Sequence, residues 1–208
     1  MVDKQEIMRI AGEYFTNTGD VSIDDEGLIT CTGSVWLTRR TTEFPVSFKR
    51  VDGPFYCTAA GLRSLRGSPS EARLFQCHDN ELESLEGGPI SVTQNFWCQH
   101  NKLTNLVGAP QSVGGEFRCY GNPLTSLDGL PKHIGAEVFV TYTKDLPLLR
   151  CLAAQGGVYF YTGDNEPQKG ESRLVGAILN RYKGRGKRAL FDAQKHLEDA
   201  GFSENARW

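Results

Sequence analysis

Between residues 55 and 131, apolar residues return in one fixed frame. Phe55, Phe75, Phe96 and Phe117 are each followed two places later by Cys57, Cys77, Cys98 and Cys119, and the cysteines lie 20, 21 and 21 residues apart. Leu62, Leu82, Leu103 and Leu124 keep the same step, as do Leu65, Leu85, Leu106 and Leu127, and Pro69, Pro89, Pro110 and Pro131 close each unit. A constant period of this length predicts stacked coils that bury one continuous core. Side chains of a strand alternate between its faces, so Phe and Cys point inward together and the residue between them points out. Asn80, Asn101 and Asn122 stand where the chain leaves the strand. Their amides are expected to bond the backbone of the bend and of the next coil. The Gly and Pro of each unit turn the chain back.

Weaker copies extend the pattern to about residues 35 and 162. Val35-Trp36-Leu37 stands one step before Phe55-Tyr56-Cys57, Val138-Phe139-Val140 one step after the last full copy, and Tyr159-Phe160-Tyr161 is read as the copy after that. Ala60 and Thr143 replace the Asn in the first and last copies, as suits the atypical ends of a solenoid. Outside the repeats, residues 3–16 place Ile7, Ile10, Ala11, Tyr14 and Phe15 at helical spacing, and VSIDDEGLIT reads as two strands around Asp25-Glu26-Gly27. DLPLLRCLAAQGG predicts a short helix capped by Asp145, with Pro147 in its first turn, Gly156 at its exit and Cys151 packed on it. GDNEPQKG, 163–170, is linker-like. Two helices follow, with apolar faces Leu174, Val175, Ile178, Leu179, Tyr182 and Ala189, Leu190, Ala193, Leu197, Ala200. Gly201 and then Phe202 predict a Schellman ending. The reading is thus a helix-and-strand cap over 1–34, a solenoid over 35–162 and a helical segment over 163–208.

The unit F-x-C-x-x-N-x-L-x-x-L-x-G-x-P resembles the leucine-rich repeat, with Phe and Cys in the first two leucine places. The resemblance implies an α/β fold, a leucine-rich-repeat-like solenoid with one short parallel strand per coil. Its short period is similar to that of compact phage and bacterial proteins of this type. That likeness implies intracellular use, in the host cytoplasm if phage-encoded, against a host enzyme or toxin.

Alternation also assigns the outward face. The row between Phe and Cys runs Trp36, Tyr56, Gln76, Trp97, Arg118, Phe139 and Phe160, and the next row runs Thr58, His78, Gln99, Tyr120 and Thr141. A solvated sheet face is ordinarily polar. Aromatic residues and Arg are the types enriched at binding hot spots. Trp36, Tyr56, Gln76, His78, Trp97, Gln99, Arg118, Tyr120 and Phe139 are therefore the candidate partner site, unless the chain's own terminal helices cover them. The expected function is a non-enzymatic protein-binding module that inhibits or sequesters its partner.

Charge supplies the alternative. The net charge of −2 argues against binding nucleic acid through overall charge. However, residues 169–208 hold nine Lys/Arg against five Asp/Glu, or +4, which leaves −6 for the rest. Arg181, Lys183, Arg185, Lys187 and Arg188 cluster in RYKGRGKR between the two last helices, where five cations beside glycines suit phosphates, or simply a solvated turn. An enzyme with its site in these helices is a third class, and no motif supports it. The chain lacks a Walker loop, G-x-S-x-G and H-E-x-x-H. Cysteines one coil apart and facing inward suit packing rather than zinc, and a reducing compartment keeps them as thiols. His78, Asp79 and His100 could approach one another at one end of neighbouring strands, while His133 and His196 have no evident partner. No cofactor or metal is expected. The charged N-terminus, MVDKQEIMRI, and the absence of a long apolar run lead to the expectation of a cytoplasmic protein.

Overall fold

The computed structural model describes residues 2–162, 166–167, 170–183 and 185–208. The chain forms a β-solenoid of about 7 turns, with a helix at the N-terminal end and helices at the C-terminal end. Helix α1 (Lys4–Tyr14) starts at Asp3, whose Oδ1 accepts from the Gln5 and Glu6 amides. Strand β1 (Phe15–Asn17) pairs antiparallel with β4 (Val35–Leu37), and β2 (Val21–Ile23) forms a hairpin with β3 (Ile29–Cys31). Asp24 closes that hairpin by accepting from the Glu26 and Leu28 amides.

From β4 to β13 (Gly157–Thr162) all stacking contacts are parallel, and β14 (Glu166–Pro167) then pairs antiparallel with β13. The ladder runs from β4 through β5 (Phe48–Tyr56), β6 (Glu71–Gln76), β8 (Phe96–Trp97), β10 (Phe117–Arg118) and β12 (Glu137–Thr141) to β13 (Gly157–Thr162). A second ladder lies just before it in each coil. It passes from β3 through the first halves of β5 and β6 to β7 (Ser91–Val92), β9 (Ser112–Val113) and β11 (His133–Ile134), and ends on an Ile134–Ala154 bridge. The second ladder begins at Ile29, so the N-terminal hairpin is itself part of the stack.

The inward files are those the frame predicts. Phe55, Phe75, Phe96 and Phe117 are fully buried and stack with centroids 5.3, 5.7 and 5.5 Å apart and ring planes within 9°. Phe15, Phe44 and Phe48 close the upstream end of this pile around Phe55. Both leucine files and Cys57, Cys77, Cys98 and Cys119 are buried. The thiols are free, and those of Cys57, Cys98 and Cys119 donate to the carbonyls of Gln76, Arg118 and Phe139 in the following coil. Burial holds all four thiols above their ordinary pKa, and pushes Cys151 up to about 12.

The asparagines reach backward rather than to the next coil. Asn80 Oδ1 accepts from the Ala60, Gly61 and Leu62 amides, and its Nδ2 donates to Cys57, Cys77 and His78 carbonyls. Asn101 bonds Leu82 and Cys77 in the same manner, and Asn122 bonds Asn101, Leu103 and Cys98. The residue before each Asn is left-handed: Asp79 and His100 have φ 57° and 54°, and Gly121 has φ 68°. The return turn is left-handed as well. Gly129 has φ +89°, and a Cβ there would lie 2.1 Å from the Leu106 carbonyl oxygen.

Two sequence expectations change at the downstream end. Val138, Phe139 and Val140 pair with Val158, Tyr159 and Phe160, one residue earlier than the reading from Tyr159. Phe160 is buried, and Tyr159 takes the outward place. The helix expected from Asp145 shortens to a 3-10 turn, Leu149–Ala153, preceded by Leu148. Ala154 must return to extended backbone to meet Ile134, which leaves no length for a longer helix.

Helices α2 (Glu171–Tyr182) and α3 (Gly186–Asp199) pack on each other, and α2 lies on β13. Asn180 accepts from the Val158 amide at 2.7 Å and donates to its carbonyl at 2.9 Å, satisfying the strand edge where another coil would stand. The Schellman ending forms, with Phe202 and Gly201 amides donating to Leu197 and Glu198 carbonyls. The tail then buries Asn205, which bonds Thr143, Leu146 and Tyr142. The expected linker 163–170 lies largely outside the described residues. Among the described residues no helix is long and apolar enough to cross a membrane.

Two outcomes follow. A thiol reagent should modify Cys57, Cys77, Cys98 and Cys119 slowly in the folded protein and fully after denaturation, read by mass spectrometry. Asn101→Ala should lower stability in urea unfolding by about 3 kcal/mol or more, because several buried backbone groups lose their partner at once. Asn101→Asp should cost no less, because its second carboxyl oxygen would face the Cys77, Cys98 and Gln99 carbonyls that Nδ2 now serves.

Candidate functional site

The outward row is built from one residue of each strand: Trp36, Tyr56, Gln76, Trp97, Arg118, Phe139 and Tyr159, all in parallel register. Neighbouring members stand one strand spacing apart, ~4.8 Å, which brings their rings into contact. Trp36 stacks on Tyr56 at 5.4 Å, and Phe139 on Tyr159 at 5.3 Å. Helix α1 packs on β1 and α2 on β13, near the two ends of the sheet. They leave the row open, with Trp36 37% and Tyr159 44% exposed at its extremes.

Arg118 occupies the middle of the downstream half. Its guanidinium carbon lies 4.4 Å from the Trp97 ring centre and 5.0 Å from that of Phe139. Glu116, two residues earlier and so on the same face, binds its Nε and Nη2 at 2.8 and 2.7 Å. The arginine is therefore a clamped, half-buried spacer between two rings. Stacking of this kind contributes about 0.5–2 kcal/mol. Much of its charge is answered by Glu116.

The second row lies one residue pair along the strands: Thr58, His78, Gln99, Tyr120, Thr141 and Tyr161. Its backbone pairing continues past the formal strand ends, with Asp79, His100 and Tyr142 amides donating to Gln99, Tyr120 and Tyr161 carbonyls. Tyr120 and Tyr161 stack at 4.1 Å. Burial, then the neighbouring Tyr161, holds the Tyr120 phenol above its ordinary pKa, so it remains a neutral hydroxyl at physiological pH. His78 approaches Trp97 at 6.2 Å between ring centres and bonds Asp79 through Nδ1 at 2.6 Å. His100 stands edge-on to Tyr120. Among the described residues no group of His, Cys, Asp and Glu is arranged to hold a metal ion.

Gln99 departs from its neighbours: it is 6% exposed, buried rather than presented. Its Oε1 and the Trp97 Nε1 are buried and lack any hydrogen-bond partner. Each such group costs about 1–3 kcal/mol when left unmade. A donor and an acceptor, two residues apart on one face, thus both lack a partner within the protein.

Of the basic cluster, Arg181, Arg185 and Arg188 are exposed. Lys183 is half-buried and donates to the Gly156 carbonyl at 2.6 Å, so its ammonium group ties α2 to the last coil. The side chain of Lys187 lies outside the described residues. Sequence reading missed Tyr159, Tyr161 and Glu116. A 20-residue step from Val138 lands on Val158 and would have found both tyrosines, and alternation from Arg118 would have found Glu116.

A scan against protein-family models and searches of curated proteins and of solved structures found no match.

In a Trp36→Phe, Trp208→Phe background Trp97 is the sole indole. There, Arg118→Ala should increase acrylamide quenching of Trp97 at least about twofold, because the guanidinium no longer covers the ring. Glu116→Gln should give a smaller rise. Unchanged quenching in Arg118→Ala would mean that the clamp does not persist in solution.

Proposed function

We propose that this protein is a non-enzymatic, leucine-rich-repeat-like binding module that grips a protein partner through its strand face, and so sequesters or inhibits it. The observation that carries this reading is the open file of aromatic rings on the strand face, with Arg118 stacked between Trp97 and Phe139. Aromatic rings and a stacked arginine supply large rigid contact area, with little rotamer freedom left to lose on binding. Trp97, Arg118, Phe139 and Tyr159 span about 14 Å at one strand spacing each, a length that one partner loop or helix covers.

Nucleic-acid binding through Arg181, Arg185 and Arg188 is the alternative, supported by their exposure at the end of α2, in the connection and in the first turn of α3. The two readings differ in salt dependence. Phosphate contacts weaken steeply with salt, whereas an aromatic protein interface does not.

The test is a tagged pull-down from the native cell, followed by calorimetry on the purified partner. Trp97→Ala and Arg118→Ala should each weaken binding about tenfold or more. Both variants should stay folded, because neither side chain enters the inward stack. If Trp97→Ala folds and binds the partner as tightly as the unaltered protein, the strand face is not the site. If binding falls steeply with salt and is lost in Arg181→Gln, Arg185→Gln, the basic turn carries it instead.

A further inference from the structure

A second concave site lies away from the strand face, between the last return arcs and the C-terminal helices. It is a cavity of about 470 Å³. Leu130, Leu149, Leu152, Tyr182, Leu190 and Trp208 give it an apolar lining. Lys132, Arg150 and Arg185 also line it, and among the described residues no acidic side chain does. The three cations come from three separate elements: the return arc before β11, the 3-10 turn, and the connection between α2 and α3.

Their charges are not equally available. Arg150 pairs with Asp128 at 2.9 Å, outside the lining. Lys132 and Arg185 are exposed and have no ion pair among the described residues. The indole of Trp208 is half-exposed at the same cavity. Its volume falls within the ~300–1,000 Å³ of typical small-molecule sites. Apolar walls alone would accept any greasy molecule. Two uncompensated cations beside them select one that carries a negative head. Burial of each methylene adds roughly 0.8 kcal/mol to such a ligand, so a chain supplies affinity and the head supplies selectivity.

We propose that this groove binds a single-chain fatty carboxylate, its alkyl chain on Leu130, Leu152 and Leu190 and its head between Lys132 and Arg185. The site explains why Arg185 belongs to a cavity wall rather than to a free turn. It is independent of the strand-face reading, since it shares no residue with that face.

Isothermal titration calorimetry with dodecanoate, dodecanol and dodecyltrimethylammonium, each below its micelle concentration, tests the proposal on the full chain. Dodecanoate should bind at micromolar concentration, and the neutral and cationic chains at least about tenfold more weakly. Lys132→Gln, Arg185→Gln should erase that preference, and Trp208→Ala should weaken all three ligands. Trp97→Ala should leave dodecanoate binding unchanged, which separates this site from the strand face. Equal binding of the three chains would overturn the proposal. So would dodecanoate binding that is unaffected by the double substitution, or no binding at all. Circular dichroism of the double variant verifies that it is folded, and both substitutions are at exposed positions.

Discussion

The constraint on which this molecule rests is backbone hydrogen bonding at the bends. Strand pairing satisfies the straight parts of each coil, but every coil also turns through the interior, where unpaired amides and carbonyls are costly. In three successive coils one carboxamide meets that need. Asn80 alone serves three amides and three carbonyls in two coils. Because these bonds are directional, they also fix the phase of each coil against the one before. The phenylalanine pile, the leucine files and the outward rows follow from that phase. Where the asparagine series ends, other groups take over: Thr141 accepts from the Gly121 amide, and Asn180 and Asn205 are supplied by the C-terminal segment.

Most of this architecture is legible in the chain because each frame residue answers a separate physical demand and recurs in step. Phe96, Cys98, Asn101 and Leu103 are hard to place in any other register. Legibility fails where the residues stop discriminating. Tyr159-Phe160-Tyr161 is apolar on both faces, so alternation cannot choose its register, and only the distance from Val138 does. The second ladder escapes notice because each of its later strands is two residues long. The helix expected at Asp145 fails for a tertiary reason, the need of Ala154 to meet Ile134.

The outward row was readable in the same way, but its state was not. Whether Gln99 is presented or buried depends on how large neighbours in adjacent coils lean, and no single strand encodes that. The clamp of Arg118 likewise joins Trp97, Phe139 and Glu116 from three coils. Its effect is to hold the aromatic surface in one arrangement before any partner arrives, which lowers the ordering cost of association. On this ordered face Trp97 Nε1 and Gln99 Oε1 have no partner within the protein.

Asn180 gives the molecule a definite length. A stack of parallel strands is open-ended by nature, since each exposed edge is a template for another strand. Asn180 meets the Val158 amide and carbonyl with one side chain, and β14 pairs with Tyr161 and Thr162 farther along the same edge, so the two act together as a chain terminator for a one-dimensional polymer.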